Sequence, residues 1–173
     1  MKISFRAVAE GDTELLMAIG PDRQAYLGYG GDPAKTPSGG QNWASAIIAR
    51  VAAAHWGRII ECDGAFAGEI RLHRYNKADA SARLAIGIFR PDLRGLGLGR
   101  RAIAFALDTA FGPLGLHRIE LCVLQSNHQA IACYTAAGFR HEGVLRDAVR
   151  IGDGFAHDVI MSVLSSDTRP ALT

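Results

Sequence analysis

The stretch from residue 90 to residue 111, RPDLRGLGLGRRAIAFALDTAF, constrains this chain more than any other. Gly95, Gly97 and Gly99 fall within five positions, and a helical pattern follows at once, with Ile103, Leu107 and Phe111 four apart. Glycine weakens a helix interior but lets backbone come close to another group. Bare N–H groups ahead of a helix N-terminus, with its positive dipole end, suit a phosphate or pyrophosphate. Arg94, Arg100 and Arg101 add charge around them. The plainer alternative is a tight strand-to-helix connection whose glycines serve only the turn. A P-loop is excluded, because GxxxxGK[ST] needs a lysine that residues 90–101 lack. A dinucleotide-binding turn is excluded too: the spacing is GxGxG, and Arg90-Pro91-Asp92-Leu93 separates it from the strand before.

The chain has 173 residues, 49% of them apolar, which is enough for a proper core and one domain over residues 1–173. A formal net charge of +2 is too small to point to nucleic acid. No run approaches the roughly 18 apolar residues of a membrane span. MKISFRAVAEGD has no signal-peptide core, so a cytoplasmic protein without membrane partners is expected. Cys62, Cys122 and Cys133 form no CxxC pair and the histidines show no HExxH spacing, so neither a disulfide framework nor a metal site is expected.

ISFRAV (3–8) alternates as a strand does, and GDTELLMAIG reads as a helix capped by Asp12 or Thr13. Residues 28–40, GYGGDPAKTPSGG, read as loop, either a lid or a simple excursion. NWASAIIARVAAAHW has helical spacing, and GRIIEC and AFAGEIRLH flank Asp63-Gly64, a two-residue hairpin signal. Strands over 83–89 and 117–125 alternate with helices over 100–111 and 128–137, the second closed by Gly138. A hairpin of FRHEGVLRDAVRI and FAHDVIMSVL around GDG follows, and the tail over 164–173 is expected to fray. The order β-α-α-β-β-β-α-β-α-β-β predicts an α/β (α+β) fold, a mixed sheet with helices on its faces.

A second motif decides between the readings of the glycines. VLQSNHQAIACYTAAGFRHEG (123–143) contains N-x-x-A-I-x-x-Y-x-x-x-G-F. Asn127 and Tyr134 are seven residues apart, two helical turns, and so share a face about 10 Å apart. Together with Arg94-Gly95-Leu96-Gly97-Leu98-Gly99, which matches [Q/R]-x-x-G-x-[G/A], this resembles the GNAT acyl-CoA-dependent N-acetyltransferases. HRIELCV, EGVLRD and FAHDVIMSVL are similar to the branch that includes ribosomal-protein alanine and spermidine N-acetyltransferases. The resemblance covers residues 64–164.

The resemblance implies a GNAT fold: a mixed, mostly antiparallel sheet of about seven strands, helices on both faces, and a V-shaped splay between two parallel strands. Here those strands would be 83–89 and 117–125. It implies acetyl-CoA as cosubstrate and direct attack by a primary amine in a ternary complex. Gly87, Ile88 and Phe89 match the positions that pair with the pantetheine arm, and Arg94 to Gly99 match the pyrophosphate loop. By position Asn127 would bond the pantetheine portion, and Tyr134 would present its hydroxyl to the sulfur; a phenol stays protonated near neutral pH, with a reference pKa of about 10. The plainer alternatives make Asn127 a helix cap and Tyr134 a packing residue.

The general base is open. Relatives often carry a glutamate on the strand before the loop, where this chain has Ser81-Ala82-Arg83-Leu84-Ala85-Ile86. Glu120 is the first substitute, Glu69 and His73 are others, and an amine losing its proton to water needs none. The acceptor elements, residues 21–56 and the final hairpin, mix Asp22, Asp32, Asp147, Asp153 and Asp158 with Arg23, Lys35, Arg50, Arg146 and Arg150. Trp43, Trp56, Tyr26, Tyr29 and Phe155 would wall an acceptor pocket or serve as core. The residues do not choose between a small-molecule amine and a protein N-terminus. Homodimers are common in the branch, but no interface is legible. A competing reading is a non-catalytic acyl-CoA-binding module on the same fold.

Overall fold

The computed structural model describes residues 1–28, 35 and 38–170. The elements are β1 (Ile3–Arg6), α1 (Asp12–Ile19), α2 (Arg23–Gly28), α3 (Gln41–Ala52), β2 (Trp56–Cys62), β3 (Ala65–Asn76), β4 (Ser81–Ile88), α4 (Leu98–Phe111), β5 (Arg118–Leu124), α5 (His128–Ala136), β6 (Arg140–Ile151) and β7 (Gly154–Leu164). The seven strands form one sheet in the order β1-β2-β3-β4-β5-β7-β6. Every pairing is antiparallel except β4–β5.

Alternation along the strands sends neighbouring residues to opposite faces. Ile60, Ile70, Leu72, Leu84, Ile119 and Leu121 pack under Ala102, Ile103, Ala106 and Leu107, the buried stripe of α4, in the larger core. Ile59 and Phe66 face the other way, against Leu16 of α1 and Ala44, Ile48 and Val51 of α3, with Phe89 beside them. Those helices cover only the β1–β3 end of that face, so the central strands carry charged residues over the rest of it. Trp56 is core, 7% exposed, as its plainer reading has it.

The hairpin signals act through left-handed backbone. Asp63 and Gly64 both have positive φ, +51° and +80°, the two-residue turn that matches strand twist. Glycine is required at Gly68 for another reason. β3 carries one extra residue opposite Ile60 and Glu61, which pair with Gly68 and Phe66. The bulged Ala67 accepts the Phe89 N–H at 2.9 Å, and a Cβ on Gly68 would stand 2.1 Å from the Gly87 carbonyl oxygen.

Three expectations differ from the structure. Gly11 caps α1 and makes no side-chain cap bond. Asp12 is instead 1% exposed; it accepts two bonds from Arg6, at 2.6 and 2.9 Å, and one from the Ala9 N–H at 2.8 Å. The buried carboxylate ties α1 to β1, and Arg6 continues to Glu61 of β2 at 2.6 Å. α2 is an additional helix, six residues long and too short to show a period. The tail is held as far as residue 170: Ser165 N–H donates to His117 O at 2.8 Å, and Arg169 pairs with Asp108 at 2.8 Å while lying over Phe111. The loop expected over 28–40 lies mostly outside the described residues.

Gly68→Ala is expected to lower stability by about 3 kcal/mol, because the cross-strand carbonyl cannot move aside without breaking the β3–β4 ladder. The midpoint of urea unfolding measures it, and an unchanged midpoint would mean that the ladder yields.

Candidate active site

The parallel ladder is short. Ser81, Ala82 and Arg83 pair with Arg118, Ile119 and Glu120, and pairing ends there although the strands run on to Ile88 and Leu124. His117 and Arg118 both donate N–H to Ala80 O, at 2.6 and 3.2 Å, which clamps the strands where they start. Arg83 meets Glu120 at 2.6 Å across the ladder, Glu120 faces Arg118 at 3.3 Å, and Arg118 meets Glu142 at 2.6 Å. Beyond this clamp the strands part and a cleft of about 790 Å³ opens. Ile86 and Ile88 wall it from β4, Cys122 and Leu124 from β5, Tyr134 from α5 and Asn127 from the cap of α5.

Arg94 to Gly99 close one end of the cleft. Gly95 and Gly97 have φ of +75° and +80°, and no atom lies within 4 Å of where a Cβ would stand. A non-glycine residue pays about 1–2 kcal/mol for this conformation. Gly97 caps α4 with no side-chain cap bond and no acid in the first turn. The Leu98 and Gly99 N–H groups therefore have no intrahelical partner, and Arg101 N–H is the first to bond back, to Gly97 O at 3.1 Å. Free N–H groups at a helix N-terminus can hold an anion through backbone alone. Gly99 faces α5, where a Cβ would stand 3.7 Å from Cys133 Sγ.

The other expected residues are placed as follows. Arg94 turns its side chain back, pairing with Asp22 at 2.8 Å and donating to Ile88 O at 3.1 Å. It braces the loop against the start of α2, and Gln24 and Ala25 of that helix join the lining. Of the three positions at the end of β4 and just past it, Ile88 lines the cleft, Gly87 stands opposite Glu69, and the Phe89 N–H is taken by Ala67. Asn127 does cap α5, its Oδ1 accepting from Ala130 N–H at 3.1 Å, and it also lines the cleft. Tyr134 packs edge-on against Phe139, 5.8 Å between ring centres, and lines the cleft with it behind. Burial pushes its phenol well above the ordinary value, with Cys133 and Glu69 adding to the effect, so it stays protonated. Complete transfer of its proton to a thiolate, whose acid has a pKa of about 8.5, is uphill; the hydroxyl is suited to donate a hydrogen bond to charge developing on sulfur.

The candidate bases fare differently. Glu120 is outside the lining and held by two arginines. Burial pushes its carboxyl up, but Arg83 and Arg118 outweigh that and hold it below the usual range. Glu69 is 4% exposed, with one oxygen on Arg71 and Oε2 buried without a hydrogen-bond partner. Burial raises its pKa, against Arg71. His73 lies on the same face as Glu69, and burial with Arg71, Arg83 and Arg74 keeps it neutral. Among the acceptor residues, Asp22 is committed to Arg94, Trp43 packs edge-on against Phe89, and Tyr29 and Asp32 lie outside the described residues. Asp158, one charge among many in the sequence, lines the cleft. Its position opposite Leu124 follows from the β5–β7 register, which no local pattern reveals.

The sequence profile of the acetyltransferase (GNAT) family matches residues 26–139. The spermidine N(1)-acetyltransferase of Escherichia coli (strain K12) is 33% identical over 105 residues, 61% of this chain and 56% of that protein. The match thus spans little more than half the length of that relative. YdaF of Bacillus subtilis (strain 168), whose name carries ribosomal N-acetyltransferase as a provisional assignment, is 27% identical over 168 residues, 91% of this chain and 88% of its own. The crystal structure of a spermidine N-acetyltransferase from Vibrio cholerae in complex with CoA and spermine superposes with a TM-score of 0.78 at 25% identity, covering 95% of this chain and 96% of that one.

The clamp beside the cleft titrates in acid. Arg118 and the Ser162 hydroxyl hold Glu142 at about 2, below its ordinary 4.5, and burial opposes them. A depressed folded pKa stabilises above the unfolded value, so this contribution is lost as pH falls from about 4.5 to about 2. Glu142→Gln is expected to lower the thermal midpoint at neutral pH and to flatten its fall across that window; melts at a series of pH values measure this.

Proposed function

The chain belongs to the acetyltransferase (GNAT) family, and we propose that it transfers an acetyl group from acetyl-CoA to a primary amine as one acetyltransferase domain. The observation that carries this reading is the parallel pair that opens after Arg83 and Glu120, with a bare helix N-terminus at one end of the gap and a protonated phenol in its wall. In this reading the N–H groups around Gly95, Gly97 and Gly99 hold the pyrophosphate, and the loop side chains of Leu96 and Leu98 have no polar part in it. Asn127 and the end of β4 align the pantetheine arm. The amine attacks the thioester carbon, the C–N bond forms as C–S breaks, and Tyr134 donates a hydrogen bond to the leaving sulfur. The non-catalytic binding module is not favoured, since the relatives are named as acetyltransferases.

The acceptor class is a primary amine, either a small molecule such as a polyamine or a protein N-terminus. The relatives' names support both, and the mixed charges of the acceptor face favour neither. The same proposal has the enzyme working in the cytoplasm; among the described residues no helix is long and apolar enough to cross a membrane. It also includes a homodimer, for which β6, an edge strand with exposed Val144 and Leu145, offers a surface.

Release of CoA thiol from acetyl-CoA tests the activity against polyamines, aminoglycosides, free amino acids, peptides with Ala, Ser or Met N-termini, and isolated ribosomal proteins. Turnover with one class is expected, and silence across all of them overturns the proposal. Tyr134→Phe is expected to lower kcat by about 100-fold while acetyl-CoA affinity changes little. An unchanged kcat removes the hydroxyl from the mechanism.

A further inference from the structure

At neutral pH an alkyl amine is mostly an ammonium ion, and attack on the thioester needs it neutral. Glu120 is spent on two arginines, and Glu69 is sealed behind Arg71. Asp158 is the only carboxylate lining the cleft among the described residues. It sits on β7 between His157 and Val159; Val159 and Met161 point into the larger core, so alternation turns Asp158 to the face that also carries Glu120 and Cys122. It lies opposite Leu124, the last residue of β5, where the parallel strands have already parted. Among the described residues its carboxylate has no hydrogen bond and no ion pair, whereas the other acids of this face are paired.

We infer that Asp158 binds the acceptor's ammonium group and takes its proton, acting as the general base of the acetyl transfer proposed above. The inference rests on that reading. One proton passes from the ammonium to an Asp158 oxygen, leaving a neutral amine. The nitrogen lone pair then forms the C–N bond as C–S breaks, and the second nitrogen proton passes through water to the thiol. Asp158 returns its own proton to solvent, so each turnover yields one amide, one thiol and one released proton.

The surroundings fit this work. Burial raises the Asp158 carboxyl above its ordinary value, with Arg83 of β4 opposing, which brings its basicity nearer to an amine's. Cys122 and Glu120 face the same region from β5, and Tyr134 faces it from α5. Burial raises the Cys122 thiol and keeps it neutral, while Glu120 is already ionised by its arginines. On the hairpin, His157 is turned toward Asp147, whose N–H donates to His157 Nδ1 at 2.9 Å. Burial thus sets how basic Asp158 is, and Arg83 tempers it.

The test compares wild type, Asp158→Asn and Asp158→Glu across pH 6–10, using acetyl-CoA and whichever amine of the panel turns over. Asn preserves the shape of the side chain, and acetyl-CoA affinity, set by the α4 end of the cleft, checks that the variant is folded. The expected result is a kcat about 100-fold lower for Asp158→Asn at neutral pH, a loss that shrinks as pH rises toward the amine's own pKa, and partial recovery in Asp158→Glu. A raised KM with kcat and pH profile intact would make Asp158 an anchor only and overturn the base role, as would no change in either. Wild-type silence with bound acetyl-CoA would instead overturn the transfer reading itself.

Discussion

The molecule depends on a parallel strand pair that is allowed to form only three steps. A parallel ladder left to itself continues for the length of its strands. Here the Ala80 carbonyl gathers two N–H groups at one end, and the Arg83–Glu120 pair secures the last step. Past that point β4 remains bonded to β3 and β5 to β7, so both keep their outer neighbours while the gap between them stays open. The cleft is therefore a missing piece of sheet, and its walls present strand edges as well as side chains.

Charge on the face opposite α4 is distributed by the same logic. Isolated buried charges are costly, and paired ones are tolerated when their remaining bonds are met. Arg83, Arg118, Glu120 and Glu142 form a chain across β4, β5 and β6, with the buried Ser162 donating to Glu142 at 2.6 Å. Arg94 and Asp22 do the same between the glycine loop and α2. These pairs tie up the charges on that face, and among the described residues Asp158 is the one carboxylate that lines the cleft.

Most elements were legible because their periods were clean and their punctuation sharp. Asp63-Gly64 and Gly138 sit where turn chemistry requires left-handed backbone, and Gly138 has φ of +100°. Ile103 and Leu107 face the core as their spacing demands. The failures share a cause. Asp12 looks like a cap and is a buried ion-pair partner; its role depends on Arg6, which only the β1–α1 packing brings near. The tail looks polar and loose, yet Arg169 finds Asp108 and Phe111 on α4. Arg94 is a different case: its place in the loop that lines the cleft was legible, and its pairing with Asp22, seventy-odd positions earlier in the chain, was not.

The sequence by itself determined the glycine loop, the helix that follows it and the Asn127–Tyr134 face, since each rests on backbone conformation and residue spacing within a few turns of chain. The tertiary structure alone decided where pairing between β4 and β5 stops, which acids are neutralised by arginines from other strands, and that Asp158 comes to line the cleft. Register and ion pairing join residues distant in the chain, and nothing in a local pattern encodes the energy of those contacts.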